Sequence, residues 1–197
     1  KIPAQRVDSR LLVATDSTFG NAEVNFKKTR QNFARKILPL IKRGIVPVIT
    51  GFIGSDSKGR TTTLGRGGSD YSAAIAGVCL RAREIQIWKD VKGFMTADPR
   101  VVLRARVIPQ LSFPEAAELS YFGAKLLHPK TIHPAIAQNI PVRILNTFAP
   151  NDPGTMIYGE GKKSKKRGIK IPVRAIAYKK GITMMNVTSM RMLGPYG

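Results

Sequence analysis

The chain has 197 residues, 43% of them hydrophobic, which is enough to fill one globular core with part of a second domain. No apolar run approaches the length that crosses a membrane, and no signal-peptide pattern follows Lys1. The 33 Lys and Arg residues outnumber 12 Asp and Glu, and a net charge of +21 attracts polyanions. However, aromatic residues make up only 7% and no zinc-ligand spacing or recognition-helix pattern is present, which argues against a dedicated nucleic-acid-binding protein.

The first third of the chain predicts a short apolar strand followed by a long amphipathic helix. The strand is expected over residues 10–15, and the helix over residues 21–43, with Pro39 kinking it and Gly44 ending it. The basic residues of this helix are interpreted as a solvated face, with a polyanion site as the alternative. Cys79, the single cysteine, cannot form an internal disulfide and fits a structural thiol in a reducing compartment.

A glycine-rich loop stands between an apolar strand at residues 46–52 and an alanine-rich helix at residues 72–80. Its glycines permit positive φ and close approach to a ligand, and Ser69 or Asp70 is expected to cap the helix. The helix N-terminus favours an anion, and Arg66 adds a two-pronged donor for carboxylate or phosphate. The spacing matches neither a dinucleotide fingerprint nor a Walker loop, so a simple connection remains the alternative.

Further along, strand signals alternate with helix and turn signals. Alternating strands and helices predict a parallel sheet covered on both faces, with ligands beyond the carboxyl ends of the strands. Ser112 and Glu115 form a capping-box pattern that starts a helix running to about Phe122. The predicted strands are residues 84–91, residues 141–147 and a strand beginning near Thr155, followed after the basic segment 161–170 by residues 174–178 and 182–187.

The run Thr-Thr-Thr-Leu-Gly-Arg-Gly-Gly-Ser-Asp-Tyr-Ser-Ala-Ala at residues 61–74 resembles the signature of the aspartokinases, members of the amino-acid kinase superfamily. The resemblance implies that this loop binds L-aspartate and that Arg66 also acts in catalysis. The implied aspartate-binding residues are Arg66, Gly67, Gly68, Ser69 and Asp70.

Residues 88–100, Trp-Lys-Asp-Val-Lys-Gly-Phe-Met-Thr-Ala-Asp-Pro-Arg, resemble the segment that lines the nucleotide in the same family. Lys92 replaces the usual Asp of that segment, and Met95 stands where many members have Tyr. From chemistry alone, a charged turn is the alternative. The nucleotide-binding residues implied by the resemblance are Lys89, Asp90, Met95, Asp98, Arg100 and Lys125.

The role of Lys125 comes from the segment Phe-Gly-Ala-Lys-Leu-Leu-His-Pro, whose family counterpart directs its Lys toward the ATP phosphates. The resemblance therefore implies that Lys125, like Arg66, is a catalytic residue. His128 in this segment is interpreted as a packed residue and not as a general base.

The resemblance implies an α/β fold: a three-layer αβα amino-acid-kinase-like sheet, mostly parallel, followed by the start of an α+β ACT-like domain. The expected domains are a catalytic part over 1–158, a basic linker over 159–172 and the ACT-like start over 173–197. A nuclear-localisation or RNA-binding tail is the alternative for the linker. The chain is expected to be an internal fragment without the family's Lys-Phe-Gly-Gly opening, and to transfer phosphate slowly or not at all by itself.

The implied activity is transfer of a phosphoryl group from ATP, with Mg²⁺, to the aspartate side chain, and no protein metal site is expected. The resemblance further implies a homo-oligomer formed through the ACT region, lysine or threonine as effector, no membrane association, and a cytoplasmic or plastid location. The alternatives are another kinase of the superfamily, acting on glutamate derivatives or UMP, and a basic paralogue that binds RNA or the ribosome.

Overall fold

The computed structural model describes residues 1–122, 126–159, 173–178, 181, 183 and 185. Within these ranges, strands and helices alternate along most of the chain. The strands are β1 (Ala4–Val7), β2 (Val46–Ile49), β3 (Ile53–Ser55), β4 (Thr61–Thr63), β5 (Ile85–Lys89), β6 (Gln110–Ser112), β7 (Val142–Asn146) and β8 (Thr155–Tyr158). The helices are α1 (Phe26–Lys36), α2 (Leu38–Lys42), α3 (Gly68–Leu80), α4 (Phe113–Phe122) and α5 (Pro129–Ala137).

The described strands form three sheets. Strands β1 and β2 pair in parallel, β3 and β4 form an antiparallel hairpin, and the largest sheet has the order β5-β7-β8-β6. In that sheet β5 with β7 and β6 with β8 are parallel, whereas β7 and β8 are antiparallel. The prediction of an α/β fold with mostly parallel strands is confirmed.

Two hydrophobic clusters lie on either side of α3. The first contains the inward faces of β5, β7 and β8 and includes Ala74 and Val78 of α3, while the second contains Leu12, Phe33 and Ile75. Helix α3 therefore has no polar face along its middle. Gly77 lets it approach β5 closely, because a Cβ there would lie 2.5 Å from the Ile85 side chain.

The predicted strand at residues 10–15 is wrong. The chain makes a 3₁₀ turn at Ser9–Leu11, which begins when the Asp8 carboxylate accepts from Arg10 N–H at 2.9 Å. Ala14 and Thr15 then form only isolated bridges, and the first strand is β1. Leu12 and Val13 are buried because the turn directs them into the core. The apolar run that suggested a strand therefore serves core packing and not strand pairing.

The predicted long helix divides into α1 and α2. Asn25 caps α1 by accepting from Lys28 N–H at 3.0 Å, and Pro39 lies in the first turn of α2, where its missing N–H costs nothing. The capping box of α4 is confirmed: Ser112 N–H donates to the Glu115 carboxylate at 2.7 Å.

The carboxyl-terminal predictions fall mostly outside the described residues. This holds for the linker 159–172 apart from Gly159, and for the strand expected at 182–187 apart from two residues. Residues 174–178 are described and form no strand. Instead, Ile176 N–H donates to the Thr96 carbonyl at 2.9 Å, and Arg174 forms an ion pair with Glu115 at 3.2 Å. Ala175 packs on the first hydrophobic cluster, which contains the inward faces of β5, β7 and β8.

None of the helices in the described ranges is long and apolar enough to cross a membrane.

Candidate functional site

The glycine-rich loop leads from β4 into α3 and turns sharply before the helix. Gly65 has φ 78° and Gly67 has φ 70°, both in the left-handed region that favours glycine. Gly67 occupies the N-cap position without any side-chain cap, so the prediction that Ser69 or Asp70 caps this helix is wrong. Both residues lie in the first turn instead, where the helix provides no carbonyl acceptor for their backbone N–H groups.

Close packing fixes this loop from three sides. A Cβ at Gly65 would lie 2.6 Å from Asn21 Oδ1, one at Gly67 would lie 2.9 Å from Thr131 Cγ2, and one at Gly68 would lie 2.5 Å from the Phe52 ring. A side chain at any of these three glycines would therefore displace the side chain of Asn21, Thr131 or Phe52. The loop therefore has a defined position between the polar loop before α1, the start of α5 and the β2–β3 connection.

Phe52 ties the β2–β3 connection to the start of α3. It has φ 74°, an unusual conformation for an aromatic residue, and its N–H donates to Ser72 Oγ at 2.8 Å. Ser72 Oγ in turn donates to the Gly68 carbonyl at 2.8 Å, and the Phe52 carbonyl accepts from Leu64 N–H at 2.9 Å. These bonds hold both ends of the glycine-rich loop.

One ion pair joins the predicted substrate loop to the predicted nucleotide strand. Lys89 Nζ, at the carboxyl end of β5, lies 3.0 Å from Asp70 Oδ2 in the first turn of α3. Both side chains are largely withdrawn from solvent, with 26% and 18% of their surfaces exposed. The structure thus places the helix N-terminus beside the carboxyl end of the strand, as the α/β prediction requires.

Three other predicted site residues near this junction have side chains open to solvent. Arg66, Ser69 and Asp90 are exposed, and the described residues include no hydrogen-bonding or ionic partner for their side chains. A guanidinium next to free helix-start N–H groups is suited to a carboxylate or a phosphate.

The loop after β5 contains a second pair of predicted site residues. Arg100 and Asp98 form an ion pair at 2.7 Å. The hydrogen-bonded Arg100 guanidinium lowers the pKa of the Asp98 carboxyl, and the Asp98 carboxylate in turn raises the pKa of Arg100. The Arg100 side chain is 87% exposed. Met95 pairs with Val107 across an antiparallel bridge, so its backbone is part of the support of this loop.

Helix α5 contributes residues that the sequence analysis did not assign to the site. It begins at Pro129. His128, just before it, is exposed, so its interpretation as a packed residue is wrong; only its Cβ is near Gly67, 3.5 Å from where a Cβ there would lie. The His128 carbonyl accepts from the Thr131 hydroxyl at 2.7 Å. Lys130 Nζ donates to Asn21 Oδ1 at 3.1 Å. The sequence analysis did not predict this helix. The helical spacing of Ile132, Ala135 and Ile136 is the signal that could have found it, although Pro134 interrupts the pattern. Lys125 lies outside the described residues.

The described residues include no group of three or more His, Cys, Asp or Glu side chains that could hold a metal ion. Cys79 is half-buried, and burial raises its thiol pKa to about 11, so the sulfur stays protonated, as a structural thiol requires.

Comparison with known proteins agrees with this geometry. Residues 1–146 match the family model described as the amino acid kinase family. The chain belongs to the amino acid kinase family.

The similar curated proteins are aspartokinases, which confirms the predicted resemblance. Lysine-sensitive aspartokinase 3 of Escherichia coli is 41% identical over 197 residues, covering 100% of the chain and 42% of that protein. The chloroplastic aspartokinase 3 of Arabidopsis thaliana is 43% identical, covering 94% of the chain and 32% of that protein. The chain therefore spans less than half the length of these relatives.

A solved structure supports the fold. The crystal structure of E. coli aspartokinase III in complex with aspartate and ADP matches with a TM-score of 0.75 and 44% identity, covering 83% of this chain and 36% of that one. The three-dimensional match therefore covers most of the chain.

Proposed function

We propose that the protein transfers the γ-phosphoryl group of ATP to the side-chain carboxylate of L-aspartate, giving 4-phospho-L-aspartate in amino-acid biosynthesis. The observation that carries this proposal is the Lys89–Asp70 ion pair, which joins the glycine-rich loop to the end of β5. Such a junction allows an acceptor carboxylate and a phosphate to share one edge of the sheet. The similarity to E. coli aspartokinase III, solved with aspartate and ADP, supports the choice of substrates.

The aspartate side of the site consists of the loop and the start of α3. Arg66 offers a guanidinium that has no partner among the described residues, Gly67 and Gly68 let the ligand approach the backbone, and Ser69 supplies a hydroxyl and a first-turn N–H. Asp70 holds Lys89 in place and so acts as a positioning residue in this arrangement.

The nucleotide side consists of Lys89, Asp90, Met95, Asp98, Arg100 and Lys125. Lys89 supplies a positive charge next to the aspartate loop, and Arg100 is available at the surface, held by Asp98. The assignment of Lys125 to the phosphates rests on the resemblance of its segment alone.

Transfer of this kind depends on positioning and charge neutralisation, because the attacking carboxylate is already ionised. No general base is required for this transfer. Mg²⁺ would neutralise charge on the ATP phosphates. Asp90, exposed and without a partner among the described residues, is the carboxylate that suits such a phosphate-bound ion.

The test is aspartate-dependent release of ADP by the intact protein carrying Arg66→Gln. We expect kcat/KM for aspartate to fall about 10²- to 10³-fold, because the main carboxylate donor is lost. Arg81→Gln is the matched control, since Arg81 is an exposed arginine at the opposite end of the same helix. Equal activity of the two variants would refute the proposal, and so would turnover with UMP or glutamate derivatives but none with aspartate.

For the assembly, we propose a catalytic part over 1–158, a linker over 159–172 and a regulatory, ACT-like region beginning at 173, with oligomerisation through that region. A structure of E. coli aspartokinase III contains lysine together with aspartate, which supports lysine over threonine as effector. A cytoplasmic or plastid location is supported by bacterial relatives and by plant relatives named chloroplastic. These relatives do not favour the RNA-binding alternative.

A further inference from the structure

A cavity of about 580 Å³ lies in the groove between α1 and α5, above α3, and the proposed aspartate and nucleotide residues do not line it. Its volume is within the range of small-molecule sites. Tyr71 and Val78, seven residues apart on α3, face the groove from below, and Phe26 of α1 with Pro134 of α5 forms its apolar walls. The surface offered to an occupant is therefore largely apolar and partly aromatic.

Three basic side chains line the same groove from opposite helices. Arg30 projects from α1, and Lys130 and His133, one turn apart, project from α5. Lys130 is partly occupied by its bond to the neutral Asn21 amide, whereas Arg30 and His133 have no hydrogen-bonding or ionic partner among the described residues. The groove therefore combines apolar walls with basic side chains that no described acid neutralises.

One acidic residue, Glu23, acts electrostatically on Tyr71 in the groove. Burial, with a smaller contribution from the Glu23 charge, raises the pKa of Tyr71, so the phenol stays protonated and can donate a hydrogen bond. Glu23 itself does not line the cavity.

We propose that this groove is a binding site for a small organic anion with an aromatic or aliphatic body. The apolar walls would cover the body, the Arg30 guanidinium would bind the anionic group, and His133 and Lys130 would add a donor and a positive charge. Charge complementarity selects this occupant, because an uncharged apolar ligand would leave the Arg30 guanidinium beside an apolar surface without a counter-charge. The proposal does not depend on the phosphotransfer activity.

The experiment is a fluorescence titration of the intact protein with 8-anilinonaphthalene-1-sulfonate, which carries aromatic rings and one negative charge. Its neutral relative N-phenyl-1-naphthylamine has the same rings without the sulfonate. We expect the sulfonate to bind with one-to-one stoichiometry and at least about tenfold more tightly than the neutral probe.

Three variants locate the binding. Arg30→Gln is expected to weaken sulfonate binding about tenfold, while Arg35→Gln, the same charge change on the outward face of α1, is expected to change it less than about twofold. Ala137→Trp, at an exposed position that lines the groove, is expected to abolish binding of both probes by filling the cavity.

Several results would overturn the proposal. These are equal affinity for the two probes, equal effects of Arg30→Gln and Arg35→Gln, or unchanged binding in Ala137→Trp. The absence of any sulfonate binding to the intact protein would also overturn it, because the groove would then be covered by another part of the protein.

Discussion

The two regions flanking α3 are stabilised in different ways. The region before it, residues 1–67, has two small sheets whose strands are short and partly exposed, with Val46 and Val48 of β2 48% and 55% exposed. Buried polar contacts stabilise this region in addition to its apolar cluster around Leu12 and Phe33. The Thr15 and Thr62 hydroxyls lie 2.7 Å apart, and Thr29 Oγ1 accepts from Ala14 N–H at 3.0 Å.

The region after α3, residues 81–158, contains a four-stranded sheet packed on a continuous apolar core. Ile144 of β7 and Ile157 of β8 are 0% exposed, and so is Phe94 in the loop after β5. The comparison teaches that the later region is an apolar platform, whereas the earlier region positions polar loops, including Asn21 against the glycine-rich loop, by specific hydrogen bonds. Three measurements test this contrast.

The largest effect is expected from the apolar platform. Ile144→Ala removes a fully buried side chain and should lower the free energy of unfolding of the intact protein by about 2–5 kcal/mol. Val48→Ala, in the exposed part of β2, should lower it by less than about 1 kcal/mol. Urea unfolding monitored by circular dichroism gives both values, and similar losses would contradict the contrast between the two sheets.

A smaller effect is expected from the buried hydroxyl of Thr29. Thr29→Val keeps the shape of the side chain but leaves the Ala14 N–H without its acceptor, which should cost about 1–3 kcal/mol. Thr61→Val, at an exposed position of β4, should be close to neutral, because valine also suits a strand. If the two variants unfold at the same urea concentration, polar contacts do not hold the earlier region.

The smallest and most local effect concerns Asp56. Burial alone would raise its pKa, but hydrogen bonds from the Arg60 side chain, the backbone and Ser17 lower it to about 2 from 3.8. Since the folded-state pKa is lowered, the stabilisation is present above pH 4 and is lost as the pH falls toward 2.

Arg60→Gln tests this balance. With the guanidinium removed and burial unchanged, the Asp56 pKa should rise from about 2 toward or above 3.8. NMR titration of the Asp56 carboxyl carbon measures it, and Arg43→Gln, an exposed arginine at the end of α2, is the control. An unchanged Asp56 pKa in Arg60→Gln would show that burial and backbone donors alone set its value.

The sequence predicted best those elements whose local signals agree with their packing. The β5 and β7 strands, the capping box of α4 and the break at Pro39 are all local patterns, and the structure confirms them. The glycine-rich loop was located correctly, because its glycines are required by backbone conformation and close contacts.

The parts that sequence reasoning missed depend on contacts between distant residues. The strand expected at residues 10–15 is a turn held by Asp8 and by Thr50, which accepts from Ser9 N–H at 2.9 Å. Similarly, nothing local shows that Asn21 meets both Gly65 and Lys130, or that Phe52 packs on Gly68. The role of Asp70 as a partner of Lys89, and not a helix cap, is of the same kind.

Helix α3 contributes side chains to both hydrophobic clusters, with Ala74 and Val78 in one and Ile75 in the other. Neither cluster can therefore lose its packing without exposing apolar surface of the same helix. The two regions should therefore unfold together as one cooperative unit. The amides in the middle of α3 should be among the slowest in the chain to exchange with deuterated solvent.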